Sequence, residues 1–191
     1  MGEHHRSGGN RWCSPGPPLA GRLLGERWGK QVELFLSTYV NKVDRKGRVS
    51  VPATFRSTLA TNSQPNLVVA FPSLRVRAVE CTGSHRIEEM QRRIDTLEQF
   101  SDEYENLTQI FADSHPMSMD PEGRIVLPET LKEHAGIGCD VAFVGLGAMF
   151  QLWDPARYEE YRAAVRERSR QQGTTLPPRS GAANHAAGGG A

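Results

Sequence analysis

The sequence predicts an α+β protein, mainly β, in which two tandem hairpin-rich units each carry a helical appendage. The first observation is an internal repeat without gaps. Tyr39 to Arg56 reads YVNKVDRKGRVSVPATFR and His115 to Lys132 reads HPMSMDPEGRIVLPETLK, at a constant offset of 76 residues. Asp44, Gly47, Arg48, Val49, Val51, Pro52, Thr54 and Phe55 face Asp120, Gly123, Arg124, Ile125, Leu127, Pro128, Thr130 and Leu131. Identity or similarity at all of these positions marks duplication of one structural unit. The second observation is that each copy reads strand, turn, strand and short helix. The third is that a strand pair follows each helix, so the halves correspond over their full length.

The elements follow in order. Asp44-Arg45-Lys46-Gly47 and Asp120-Pro121-Glu122-Gly123 are turns. In such turns Asp accepts backbone hydrogen bonds two residues on, Pro presets φ, and Gly supplies a positive φ. Short β-branched strands come next, Val49 to Val51 and Ile125 to Leu127, stopping at Pro52 and Pro128, which suit the first turn of a helix. Helices are predicted over about 52–60 and 128–135, the second terminated by Gly136. Strand pairs are predicted at 66–71 with 75–80, and at 140–145 with 149–153. Between the halves, Ser84 opens a helix with Glu88 close behind and Ile87, Met90, Ile94 and Leu97 at helical spacing, a stripe expected in the core or a subunit interface. A second helix is predicted over about 102–111. Asp154-Pro155 is an N-cap with proline at the first helical position and leads a helix to about Ser169.

These elements divide the chain into a leader at 1–31, a first unit at 32–82, a helical insert at 83–112, a second unit at 113–154, a C-terminal helix at 155–170 and a tail at 171–191. The leader, rich in Gly, Pro, Arg and Ser, and the tail, with Pro177-Pro178 and a closing Ala-Gly run, have too few apolar residues to order themselves and are predicted to be disordered.

Composition narrows the function classes. The 191 residues are 38% hydrophobic, enough for small cores, and no run of eighteen apolar residues exists, so no membrane partner is expected and the location predicted is cytoplasmic. Cys13, Cys81 and Cys139 are odd in number and lack a CxxC pair; they read as free thiols, with Cys81 and Cys139 as buried small hydrophobes. No phosphate loop, GxSxG, HExxH or Cys-His pairing is present; Asp113 and His115 sit close, before a proline, and read as strand capping. No enzyme activity, cofactor or metal site is therefore predicted, and His4-His5 fall in the leader.

Net charge is only +1, but it is unevenly placed: Lys42 to Arg48 carries four basic groups and one acid. An arginine at a tight hairpin tip can fork onto a guanine edge or a phosphate, and lysine can supply a compact phosphate contact, but on spacing alone a Lys-Gly-Arg turn is more often a solvated hairpin tip. An Asp four residues before an Arg is also the pattern of an ion pair across a turn, and for Asp44 and Asp120 that structural role outranks DNA contact. The helix after Pro155 sets Tyr158, Tyr161 and Val165 among Arg157, Arg162, Arg166, Arg168 and Arg170; packing with a solvated charged face outranks contact with DNA or lipid.

The duplicated motif, the opening FLSTYVNKVDRKGRVSVP and the closing VAFVGLGAMFQLWDP resemble the MraZ family over about residues 34–165. That resemblance implies the swapped-hairpin β-barrel of AbrB-type regulators, two such barrels per subunit, and a homo-oligomeric ring of roughly eight or more subunits. It also implies a nucleoid-associated transcriptional regulator, an autorepressor that binds double-stranded DNA at short direct repeats upstream of the division and cell-wall gene cluster. By the resemblance Arg48 is the DNA-contacting residue, helped by Lys46, Arg45 and Lys42, while Asp44 and Gly47 shape the hairpin. In the second motif Asp120, Gly123 and Arg124 match, but Pro121-Glu122 replace Arg45-Lys46; a Glu beside Arg124 repels phosphate and offers an internal partner, which makes Arg124 the more structural of the two. Family members begin about where Leu34-Phe35 stands, so a native start at Val32 is expected. The rival reading is an antitoxin-like AbrB-fold module that holds a protein partner, although such modules have one motif and a toxin-binding tail.

Overall fold

The two copies of the repeat fold into the same series of elements. In the computed structural model, which describes residues 34–173 and residue 175, the first copy forms β1 (Thr38–Lys42), β2 (Arg48–Ser50), α1 (Ala53–Leu59), β3 (Leu67–Pro72) and β4 (Val79–Thr82). After α2 (Ser84–Ile94) and α3 (Asp102–Ala112), the second forms β5 (His115–Ser118), β6 (Arg124–Val126), α4 (Glu129–Ala135), β7 (Asp140–Gly145) and β8 (Phe150–Trp153). The chain then enters α5 (Pro155–Gln172). The predicted leader, with His4, His5 and Cys13, and nearly all of the predicted tail lie outside the described residues.

Every strand pair is antiparallel. Six strands form one sheet in the order β1-β7-β8-β4-β3-β5, and β2 and β6 form a separate two-stranded ribbon. Replacing each strand by its counterpart in the other repeat reverses this order, so the chain carries an internal two-fold relation. Its axis passes between residues that face each other: Val49 opposite Ile125 in the ribbon, at the offset of 76, and Glu80 opposite Gln151, which hold the same places in β4 and β8.

This arrangement refines the expectation of two barrels in tandem. β1 pairs with β7 and β5 pairs with β3, so each repeat lends its first strand to the other. A five-residue strand and a three-residue strand leave one hairpin too little apolar surface to bury alone. Exchange solves this by pooling both repeats in one core, where Val49, Phe55, Leu59 and Val68 pack with Ile125, Leu131, Phe143 and Leu152. Phe55 is the hub: it is fully buried, with Phe150 at 5.1 Å, Phe35 at 5.3 Å and Tyr39 at 5.5 Å, the last two edge-on. Such geometry adds to the large area an aromatic ring removes from water.

The ends of several elements follow from tertiary contacts. Residues 75–78, predicted as strand, form a bend closed by the Ser73 N–H donating to the Ala78 carbonyl at 2.9 Å, and β4 starts four residues later than expected and runs to Thr82. Ser84 opens α2 as predicted, with Gly83 as its N-cap, and the Asn62 side chain, from the loop after α1, accepts from the His85 N–H at 3.2 Å. Gly136 terminates α4 in the left-handed conformation (φ 68°), and Asp154 caps α5 by accepting from the Arg157 N–H at 3.0 Å. α5 extends to Gln172, two residues into the predicted tail. Cys81 is buried and its thiol pKa is pushed up by desolvation, whereas Cys139 is exposed, contrary to its predicted burial. It lies in the loop before β7 and contributes its carbonyl, to the Val43 N–H at 2.8 Å, rather than its side chain. No described helix is long and apolar enough to cross a membrane.

Candidate nucleic-acid interface

Each hairpin tip is built around one carboxylate. Asp44 Oδ1 accepts from the Lys46 N–H at 2.8 Å and from the Arg48 N–H at 2.9 Å, and Asp44 Oδ2 accepts from Arg48 Nε at 2.7 Å. The main chain closes the loop twice, Asp44 N–H to the Arg48 carbonyl at 2.8 Å and Gly47 N–H to the Asp44 carbonyl at 2.9 Å. Gly47 takes φ +75°, which L side chains rarely adopt. The second tip repeats this: Arg124 N–H reaches Asp120 Oδ1 at 2.8 Å, Arg124 Nε reaches Asp120 Oδ2 at 2.8 Å, and Gly123 has φ +76°.

The aspartates therefore organise the tips. The Arg48 backbone N–H and then its guanidinium lower the Asp44 pKa to about 2, and the Arg124 backbone N–H likewise lowers that of Asp120. In return the Asp120 carboxylate raises the pKa of Arg124. Both arginines are held by an anion on one edge and are one-third exposed, at 33% for Arg48 and 31% for Arg124. Ion pairs of this exposure add little to stability. Their effect is to fix each guanidinium in one orientation.

The tips differ in their remaining groups. Arg45 and Lys46 at the first turn and Lys42 at the end of β1 are exposed, and none forms an ion pair among the described residues. At the second turn Pro121 and Glu122 take the places of Arg45 and Lys46, and Glu122 Oε2 accepts from Arg124 Nη2 at 2.9 Å. The sequence predicted that internal partner.

The ribbon brings together what the sequence placed apart. In β2 and β6 alternation turns Val49 and Ile125 inward, both buried, and leaves Arg48, Ser50, Arg124 and Val126 on the outer face. Arg48 pairs with Val126 and Ser50 with Arg124, so the two arginines lie toward opposite ends of one short ladder. A two-stranded ribbon with outward arginines has the width and donors to enter a DNA major groove. Sequence reading missed Ser50 and Val126 as members of this face. The period-two pattern was present, but the pairing of β2 with β6 lies in no local signal.

Duplicated hairpins that exchange strands between repeats, each closed by an Asp-x-x-Gly-Arg tip, define a regulator of AbrB-like fold. Residues 110–176 match the family model described as "MraZ protein, putative antitoxin-like". The chain is 43% identical over 143 residues to the transcriptional regulator MraZ of Gluconacetobacter diazotrophicus, covering 73% of this chain and 90% of that one. It is 41% identical over 146 residues to the transcriptional regulator MraZ of Rickettsia rickettsii, covering 76% and 97%. The chain belongs to the MraZ family of transcriptional regulators.

Proposed function

We propose that the protein is a sequence-specific DNA-binding repressor, acting on its own promoter and on the division and cell-wall gene cluster, in the cytoplasm at the nucleoid. Arg48 reads a base edge, and Arg45, Lys46 and Lys42 hold the backbone phosphates on either side. The observation that carries this is the first tip: three exposed cations without ion-pair partners among the described residues surround an arginine whose orientation Asp44 fixes. Arg124, tied to both Asp120 and Glu122, plays a lesser part.

One tip holds few contacts, so affinity comes from a ring-shaped homo-oligomer whose tips engage several short direct repeats at once. The test is a mobility shift on duplex from the chain's own upstream region. Arg48→Ala is expected to weaken binding by at least tenfold, a bidentate base contact being worth about 1–3 kcal/mol, and Arg124→Ala by less. Equal binding by wild type and Arg48→Ala would remove Arg48 from the site.

A further inference from the structure

Arg56 lies outside both Asp-x-x-Gly-Arg motifs, yet the fold brings it to one of them. Its counterpart in the second repeat, at the same offset of 76 residues, is Lys132. The ribbon crosses the two helices over. Val51 N–H donates to the Gly123 carbonyl at 2.9 Å and Leu127 N–H to the Gly47 carbonyl at 2.9 Å, so α1 begins beside the second turn and α4 beside the first.

The two helix cations are used differently. Arg56 lies across Gly123: a Cβ built there would come within 2.3 Å of Arg56 Nη1 and 2.5 Å of its Cδ. A Cβ built on Gly47 would meet only the Leu127 carbonyl oxygen, at 3.5 Å. Lys132 is drawn back to Glu129 at 2.7 Å, with its side chain 18% exposed. Arg56 is exposed, and among the described residues its guanidinium has neither hydrogen bond nor ion pair. It borders an open groove of about 410 Å³ with Asn66, Met119, Asp120 and Pro121. The acid in that groove, Asp120, is already committed to Arg124.

We propose that Arg56 is the phosphate-binding cation of the second hairpin tip, supplied by the first repeat in place of the Arg45-Lys46 pair that the second turn lacks. Its ligand is a backbone phosphate of the duplex that the outer face of the ribbon engages. This rests on the DNA-binding reading above. Without Arg56 the second turn and its arginine carry one more anion than cations; with it the tip is neutral and has an exposed guanidinium that forms no ion pair among the described residues.

The salt dependence of binding to duplex from the chain's own upstream region tests this in the full-length protein. In Arg56→Gln the slope of log affinity against log salt is expected to fall by about 0.9 for every protomer engaged on DNA. Arg56→Lys, which keeps charge and stem, is expected to restore the slope, and Lys132→Gln to leave it unchanged. A wild-type slope in Arg56→Gln overturns the inference, and so does an equal loss in Arg56→Lys, which would mean that Arg56 acts by packing on Gly123. A wild-type protein that binds no duplex overturns the DNA reading itself. Should Arg56→Gln melt early, Arg56→Met, which keeps an apolar stem on Gly123 without the charge, takes its place, and a wild-type slope there overturns the inference.

Discussion

The two hairpin tips have one backbone and two chemistries. Both place a carboxylate under two or more N–H donors, both use a glycine at positive φ, and both hold an arginine by its Nε. At the first tip the two central turn residues are cations facing solvent; at the second they are a proline and a glutamate that ties the arginine down further. Backbone geometry thus follows from the Asp and Gly that the two tips share. The side chains between them differ in charge while the turn keeps its shape.

Exchanging those central residues is the strongest way to break the comparison. Arg45→Pro with Lys46→Glu is expected to reduce DNA affinity and to lower the salt slope by up to about 1.8 per engaged protomer, two phosphate contacts being lost. Pro121→Arg with Glu122→Lys, which also releases Arg124, is expected to raise both. Slopes that do not move in opposite directions would show that the tips do not differ as phosphate binders. The comparison extends into the core, where Phe55 of the first repeat matches Leu131 of the second and both are fully buried. Phe55→Ala should cost about 3–5 kcal/mol and Leu131→Ala about 2–5 kcal/mol. The larger loss is expected at Phe55, whose aromatic neighbours come from both repeats, and urea midpoints at constant slope would measure it.

The smallest expected difference is in acid. Because the folded pKa of Asp44 is depressed, its contribution to stability is complete above the unfolded value of 3.8 and is lost as the pH falls toward about 2. Asp120 shifts in the same direction. Asp44→Asn and Asp120→Asn should each flatten the loss of stability below pH 4, Asp44→Asn by more. Acid melting curves identical to wild type in both variants would show that the carboxylates are not held by their turns.

Much of this was legible in the sequence because the signals are local. Asp, Gly and Pro announced the turns and helix starts, and the constant offset announced the duplication. The internal ion pair of Arg124 followed from Glu122 being two residues away. What escaped depends on partners distant along the chain. The exchange of β1 and β5 between repeats, the cap that Asn62 gives α2, and the placement of Arg56 over Gly123 all join segments whose proximity no window of residues encodes. The misplaced start of β4 has a related cause: alternation at 75–80 resembled a strand, but a backbone bond from Ser73 to Ala78 closed those residues into a bend.

Strand exchange also bears on how the molecule is made. Thr38 at the head of β1 pairs with Val144 of β7, so during synthesis the first strand of the sheet waits for about a hundred further residues before its neighbour exists. Through that interval the β1 backbone lacks its pairing partner, and Val40, which is 57% exposed even in the finished fold, stays on its surface. The unit that joins its repeats within a single chain is thus also one that neighbouring chains can assemble in error, and the short helical insert between the repeats favours the intramolecular partner by keeping its effective concentration high.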